Sequence, residues 1–521
     1  MRVLLVDLGT PRNEISEPLG IETLTPYVEA AVPGTRVDFR SLELDNYSDV
    51  DEYLRSGDYD VIGLSTKIRS YDKFSSSVET IKKASPQTVV VVGDILGTYA
   101  FEDVLDTYED VICVRGEGEI PFTKLVNSVA VGQLSLSGIP NLAYKSNGKL
   151  VTTDRVTMDL RKARHPNRVL APEILRQNGC ARVEGSKGCA YSLCSYCGTV
   201  EKYNGPGWRP FDIDFVTDEL TTISDLGFKS PWFTDEDFFG DDIQRVYDFA
   251  DAVIDLKKQG MIRPDLDFYI NARADSILGV DFGGTDESRK VLLRLKEAGL
   301  REVFLGLESG CKRQLKRYRK AWVGNKSLQA LNHLRGLGIG IDIGFIFFDK
   351  DATIQDLRDN TNFVYDAAIN THDARLIKRV RIEPRTPMGD DFKIDNPHPV
   401  IDMDLVEFEY EFTIPEVGEA FMVFQDWEKG DLDVIYNLQA LCRGEVPEDY
   451  TREEVKVIIS RYRHLDWKYF NEVLSIFETG EKDREVKIGE ITQRFERERD
   501  NLDNTSIDRV KWLDSTFRRN L

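Results

Sequence analysis

Short apolar runs alternate with amphipathic stretches through the first 145 residues. The runs at 2–8, 36–40, 61–65, 89–92 and 111–115 read as strands, and 22–31, 49–56, 73–83 and 100–107 carry helical spacing. Strands alternating with helices predict a doubly wound, Rossmann-like α/β sheet, with ligands beyond the carboxyl ends of its strands. The loops at those ends are Leu8-Gly9-Thr10-Pro11, Ser65-Thr66-Lys67-Ile68-Arg69-Ser70, Gly93-Asp94-Ile95-Leu96-Gly97-Thr98 and Gly116-Glu117-Gly118-Glu119. Glycines at three of them let backbone approach a bulky ligand. No Gly-x-Gly-x-x-Gly follows the first strand, which disfavours a dinucleotide.

Segments 141–144 and 150–153, joined through Ser146-Asn147-Gly148, predict a hairpin inside a linker. From 178 to 390 the alternation returns. Strands are expected at 230–234, 267–271, 301–307, 340–348 and 376–383, with helices at 215–226, 242–259, 287–298, 325–337 and 354–368. Repeated βα units predict a full or partial (β/α) barrel whose chemistry sits at its strand ends. Beyond Asn396-Pro397-His398-Pro399, four stretches (412–427, 431–442, 452–479 and 485–501) have apolar residues at three- and four-residue intervals. They are expected to form a mostly helical cap over the barrel mouth, with Tyr410, Phe421, Phe424 and Trp427 lining a pocket or packing the helices. The expected domains are 1–140, 141–177 (linker), 178–390 and 391–521.

Composition narrows the function. A formal charge of −22 makes nucleic acid an unsuited partner for the surface as a whole. No run of about 18 apolar residues occurs, so no membrane span is expected. Met1–Leu8 reads as a first strand, not a signal peptide. Seven cysteines, an odd number with three clustered, do not form a disulfide framework, and a reducing cytoplasm fits them.

Those three are Cys189, Cys194 and Cys197, spaced C-x4-C-x2-C. Thiolates are the ligands of iron–sulfur clusters and of zinc. With three nearby thiolates a four-iron cluster keeps one iron open for an external ligand. Structural zinc, with Cys180 as a fourth ligand, is the alternative.

The set Val61-Ile62-Gly63-Leu64-Ser65, Val92-Gly93-Asp94 and Arg115-Gly116-Glu117-Gly118-Glu119 resembles the cobalamin-binding domain that precedes many radical S-adenosylmethionine (radical SAM) enzymes. Asp94 replaces the second glycine usual there. No Asp-x-His-x-x-Gly is present, and His165 is the first histidine in the chain. The resemblance implies cobalamin held without a protein histidine, against Thr10, Ser65, Lys67, Arg69, Gly93, Asp94 and Gly116 to Glu119. Arg69 or Lys67 is expected to face the lower side of the corrin.

The second half resembles the radical SAM domain. Phe233-Thr234-Asp235-Glu236-Asp237-Phe238 is similar to the acidic segment that holds the amino group of SAM. Asn271-Ala272-Arg273-Ala274-Asp275 is similar to the strand whose arginine pairs with its carboxylate. Leu305-Gly306-Leu307-Glu308-Ser309-Gly310 resembles the element near the ribose and methionine. Gly344-Phe345-Ile346 resembles the strand whose backbone meets adenine, and Tyr196 stands at the aromatic position that packs on the base. An acid for the ammonium and a guanidinium fork for the carboxylate suit a zwitterionic amino acid. The cysteine loop departs from the usual C-x3-C-x2-C by one residue. Cys113, Cys311 and Cys442 read as core or incidental thiols.

The resemblance implies a [4Fe-4S] cluster on Cys189, Cys194 and Cys197, reductive cleavage of SAM to a 5′-deoxyadenosyl radical, and methyl transfer through cobalamin to an unactivated carbon of a natural-product intermediate. It also implies a small-molecule or peptide substrate and an external electron donor such as flavodoxin or ferredoxin. A non-methylating rearrangement, ring contraction or sulfur insertion on the same architecture is the first rival, and a non-catalytic zinc protein the second.

Overall fold

Strands β1 (Arg2–Asp7), β2 (Arg36–Ser41), β3 (Val61–Thr66), β4 (Val89–Gly93), β5 (Ile112–Val114), β6 (Leu142–Ser146) and β7 (Lys149–Thr152) form one sheet in the order β2-β1-β3-β4-β5-β6-β7. The computed structural model describes residues 1–9, 15–45, 47–320, 326–370, 378–443, 452–480 and 483–518. The first five strands in the sheet order are parallel, and β6 and β7 are antiparallel additions to the β5 edge. The hairpin expected in a linker therefore extends this sheet. Strands β1, β3 and β4 are buried on both faces, which is why they read as continuous Val/Ile/Leu runs. The chain leaves β1 for β2 on one side and reaches β3 on the other, so the winding reverses between β1 and β3. A crevice opens beyond the carboxyl ends at such a point. The stretch expected as a loop at 93–98 is instead the helix Asp94–Tyr99. A Cβ on Gly97 would run into the Val92 and Val114 carbonyls, so this helix packs directly on the sheet.

A second sheet is entirely parallel. Its strands are β8 (Arg182–Val183), β11 (Trp232–Phe233), β12 (Phe268–Arg273), β13 (Leu300–Glu308) and β14 (Gly340–Phe345), in the order β14-β13-β12-β11-β8. A short antiparallel pair, β9 (Ser186–Cys189) and β10 (Gly207–Pro210), stands beside it. The strand expected at 376–383 is reduced, among the described residues, to an isolated bridge between Phe348 and Arg379. The barrel is thus partial.

The C-terminal part is helical, with helices Pro415–Glu428, Leu432–Arg443, Arg452–Thr479 and Arg484–Arg518. Among the described residues, these helices supply none of the lining of the cavity at the carboxyl ends of the strands. Arg452 bonds Ser230 ahead of β11 and Lys456 pairs with Glu302 near the start of β13, at the amino ends of the strands. Further along, Arg358 reaches Asn471, Ser475 and Glu478. Phe424 stacks on Phe470 at 3.9 Å, and Trp427 on Tyr469 at 4.1 Å. Phe424 and Trp427 are core, Phe421 packs on Phe348, and Tyr410 donates to the Val380 carbonyl. Among the described residues, no helix is long and apolar enough to cross a membrane.

Candidate active site

The carboxyl ends of the two sheets face one another across a cavity of about 860 Å3. Asp7, Ser65, Lys67, Gly93 and the run Gly116 to Glu119 line it from the first sheet. Glu184, Tyr196, Cys197 and Glu236 line it from the second, and Arg381, Glu383 and Val406 close a third side.

The cysteine loop leaves the end of β9. Gly188 has φ +89°, and a Cβ there would collide with the Gly207 carbonyl of the paired strand, so only glycine fits. The extra residue is absorbed by a tight turn. Ser192 takes φ +49°, donates its hydroxyl to the Cys189 carbonyl and accepts from Gly207 N at 3.1 Å. Ser195 N donates to the Tyr318 carbonyl (3.0 Å), and Tyr99 OH to the Gly198 carbonyl (2.9 Å). Burial, and then the nearby Asp237 charge, push the Cys189 thiol up to about 11. Burial pushes Cys194 up to about 12 and raises Cys197. The three thiols therefore shed protons when they ligate a metal.

A single zinc ion does not fit these donors. Among the described residues, the only trio of potential ligands within 4.8 Å of one another is Cys311, Asp356 and Asp359, and Arg313 and Arg317 already occupy Asp356 there. Cys180 is not near the loop's end of the sheet. Its thiol faces the Ala181 and Ser230 carbonyls at the amino ends of β8 and β11. Three thiols on one loop, set wider than the ligands of one ion, suit a cluster in which each binds a different iron.

Around the loop the acidic segment divides. Asp235 is fully buried and accepts from Gly185 N (2.8 Å) and Ser186 Oγ (2.5 Å), so it fixes the chain entering β9 and does not line the cavity. Glu236 does line it, paired with Lys202 at 2.9 Å. Asp237, also buried, accepts from Arg273 Nε (2.8 Å) and Ala190 N (3.4 Å) with Cys189 Sγ at 3.7 Å, and its Oδ1 has no partner. Arg273 also meets Asp275 and Asp281, each at 3.3 Å, so its fork is already filled by carboxylates. A narrow cleft lies between Tyr191, Arg273, Gly306 and Lys320.

Glu308, at φ +67° beside a register shift in β13, pairs with Lys320 at 3.0 Å. Ser309 turns away: its hydroxyl lies 2.7 Å from Gln314 Oε1 and 2.8 Å from Asn360 Oδ1, in a buried turn. The Phe345 ring stacks on Phe363 in the core and does not line the cavity. Asp237 and Lys320 carry contacts that sequence reasoning did not assign to single residues. The acid was hidden in a run of three, and the lysine in a run of cations.

On the other wall, Lys67 Nζ sits 2.5 Å from Asp94 Oδ2, and Ser65 Oγ lies 3.5 Å from the same oxygen. Burial alone would lower the Lys67 pKa, but Asp94 and Asp7 outweigh it and raise it. A Cβ on Gly93 would meet nothing within 4 Å, so this strand end is open to a ligand. Arg69 is exposed and does not line the cavity. Its amide donates to the Asp404 carbonyl (2.6 Å), in the segment joining β15 (Ile401–Asp402) to β16 (Glu407–Phe408), which turns it outward. Thr10 lies outside the described residues.

The Gly-Glu-Gly-Glu run joins the two halves. Glu117 accepts from Met158 N (2.7 Å) and pairs with Arg209, while Glu119 meets Lys187 at 2.6 Å. Burial works against the Lys187 charge, and Glu119 and Glu184 overcome it, raising its pKa. At Gly116, φ +80°, a Cβ would strike the Lys202 carbonyl of the other half.

Residues 6–126 match the family model of the B12 binding domain, and residues 183–364 that of the radical SAM superfamily. The chain therefore carries a B12-binding domain followed by a radical SAM domain. This radical SAM protein is 26% identical over 326 residues to 4′-phospho-dehydrooxetanocin synthase of Priestia megaterium, a match covering 58% of the chain and 42% of that relative. It is 25% identical over 342 residues to hopanoid C-3 methylase of Methylococcus capsulatus, covering 63% of the chain and 61% of the relative. The chain thus spans less than two thirds of the length of either. In fold it is similar to the cobalamin-dependent SAM radical enzyme OxsB, solved with aqua-cobalamin and SAM bound. There the TM-score is 0.81 at 19% identity, over 100% of this chain and 83% of that one.

Proposed function

We propose that this radical SAM protein is a C-methyltransferase acting on an unactivated carbon of a small-molecule natural-product intermediate. The observation that carries the reading is the single cavity shared by the two sheet ends, with Cys197 on one wall and the open Gly93 on the other. In this reading Cys189, Cys194 and Cys197 hold the cluster. Glu236 takes the ammonium of SAM, Arg273 turns from one of its three carboxylate partners to the SAM carboxylate, Glu308 lies by the ribose and methionine, and Tyr196 borders the base. Ser65, Lys67, Gly93 and Asp94 form the wall for cobalamin. When bound, these groups supply one-electron cleavage and a methyl carrier, which no side chain offers. The protein's own residues place them at one substrate and hold water out. The similarity to hopanoid C-3 methylase supports methylation.

The test is anaerobic reconstitution with iron, sulfide and cobalamin, followed by product analysis. Both 5′-deoxyadenosine and S-adenosylhomocysteine are expected, with a product heavier by one methylene. The match to 4′-phospho-dehydrooxetanocin synthase and the whole-length likeness in fold to OxsB favour a second reading, in which the radical step ends without methyl transfer. That reading predicts 5′-deoxyadenosine without matching S-adenosylhomocysteine, and no methylene gain.

A further inference from the structure

The third cysteine of the loop holds a contact that the other two lack. Thr199 Oγ1 lies 3.0 Å from Cys197 Sγ, and either atom can donate while the thiol keeps its proton. Among the described residues this sulfur is the only hydrogen-bond partner of the Thr199 side chain. Cys189 meets the Asp237 carboxylate instead, at 3.7 Å, and no side-chain hydroxyl of a described residue bonds Cys194.

The contact is fixed from both halves of the protein. Thr199 begins the helix Thr199–Lys202, where Lys202 N donates to the Gly198 carbonyl (2.9 Å) and Tyr203 N to the Thr199 carbonyl (3.1 Å). From the first half, Tyr99 OH donates to the same Gly198 carbonyl at 2.9 Å. A Cβ on Gly198 would stand 2.7 Å from that hydroxyl, so the backbone between Cys197 and Thr199 is pinned against the Tyr99 side chain. Thr199 is buried and borders the cavity.

Ligation settles where the proton lies. A metal-bound cysteine sulfur has lost its hydrogen and can only accept, which leaves Thr199 as the donor. Sulfur gains electron density when a cluster is reduced, and a hydrogen bond to a charged acceptor is the stronger kind. A donated bond therefore favours the reduced state, and hydrogen bonds to sulfur are among the levers that set a cluster's potential. Glu236 and Glu383 act in the opposite sense, since their charges bear on the same sulfur.

We propose that Thr199 is a positioning residue that acts through Cys197 to raise the reduction potential of the bound cluster. This rests on the reading that the three cysteines hold a cluster. The event it biases is the gain of one electron, which takes the cluster from the 2+ to the 1+ state. No bond breaks, and Thr199 keeps its proton.

The experiment is a mediated redox titration of the full-length protein, reconstituted anaerobically with iron and sulfide and kept free of SAM. Dithionite supplies the electrons, and the EPR signal of the reduced cluster is the readout. T199V keeps the shape of the side chain without the donor, and T199S keeps the donor. With iron content equal to the parent's, T199V is expected to shift the reduction equilibrium about tenfold toward the oxidised cluster, which for one electron is a potential lower by about 59 mV. T199S is expected to stay at the parent's value. An unchanged potential in fully loaded T199V overturns the proposal. So does an equal shift in T199S, which would assign the effect to packing, or loss of iron in T199V, which would make the hydroxyl a means of holding metal. A parent protein that takes up no iron would sink the cluster reading and the proposal with it.

Discussion

Glu119 of the first half and Lys187 of the second meet at 2.6 Å, both buried, where the two sheets adjoin. Removing one partner strands the other charge away from water, which costs about 3–5 kcal/mol. K187M is therefore expected to lower the denaturation midpoint sharply, and K187M/E119Q to recover much of the loss. Chemical denaturation of the parent and the two variants checks this, and equal losses for the single and double variants would refute it.

Iron content distinguishes the thiols. C189A, C194A and C197A are each expected to reduce iron bound after reconstitution to a small fraction. C180A is expected to keep full iron, because its thiol faces the opposite end of the sheet. Metal analysis of the four purified variants gives the answer.

Two glycines on the same wall should respond oppositely. In G116A the new Cβ meets the Lys202 carbonyl at a left-handed φ, and a loss of about 2–4 kcal/mol is expected. G93A adds a methyl group to open space and should fold normally. It should nonetheless weaken hydroxocobalamin binding in a spectroscopic titration, because that methyl projects into the chamber. Unaltered cobalamin affinity in G93A would count against this wall as the corrin site.

A pH effect follows from Glu22. Burial, reinforced by the neighbouring Glu17, raises its pKa from 4.5 to about 9. The folded chain thus binds more protons than the unfolded one between those values, and this group's contribution to stability falls as pH rises through that window. E22Q keeps the carbonyl that accepts from Leu170 N (2.8 Å) without the charge. It should be more stable than the parent at pH 8 and near parity at pH 4.5, read as melting temperature across that range.

The middle of the first sheet was readable because β1, β3 and β4 are buried on both faces and so spell unbroken apolar runs, as in Val89-Val90-Val91-Val92. The helix Asp94–Tyr99 was not, since two of the residues in the run Gly93 to Gly97 are glycine and its stability comes from close approach to the sheet. Strand β8, two residues long, has too little sequence for any period. The cysteines and the acidic segment announced the site, but not which acid faces which way. Asp235 and Asp237 point into structure while Glu236 points to the cavity, and that follows from how the chain leaves β11. Lys67 and Arg69 were equivalent on paper. The segment around Asp404, more than 300 residues downstream, is what separates them.

The residues that wall the chamber, Glu117 and Glu119, are also the clasps that hold its halves shut. Prying the halves apart to admit something as large as a corrin would sever both clasps at once. Loading must then proceed through the existing aperture, or ahead of closure while the chain is still maturing. A protein made without its cofactor is accordingly expected to take it up slowly afterwards, whatever its eventual affinity.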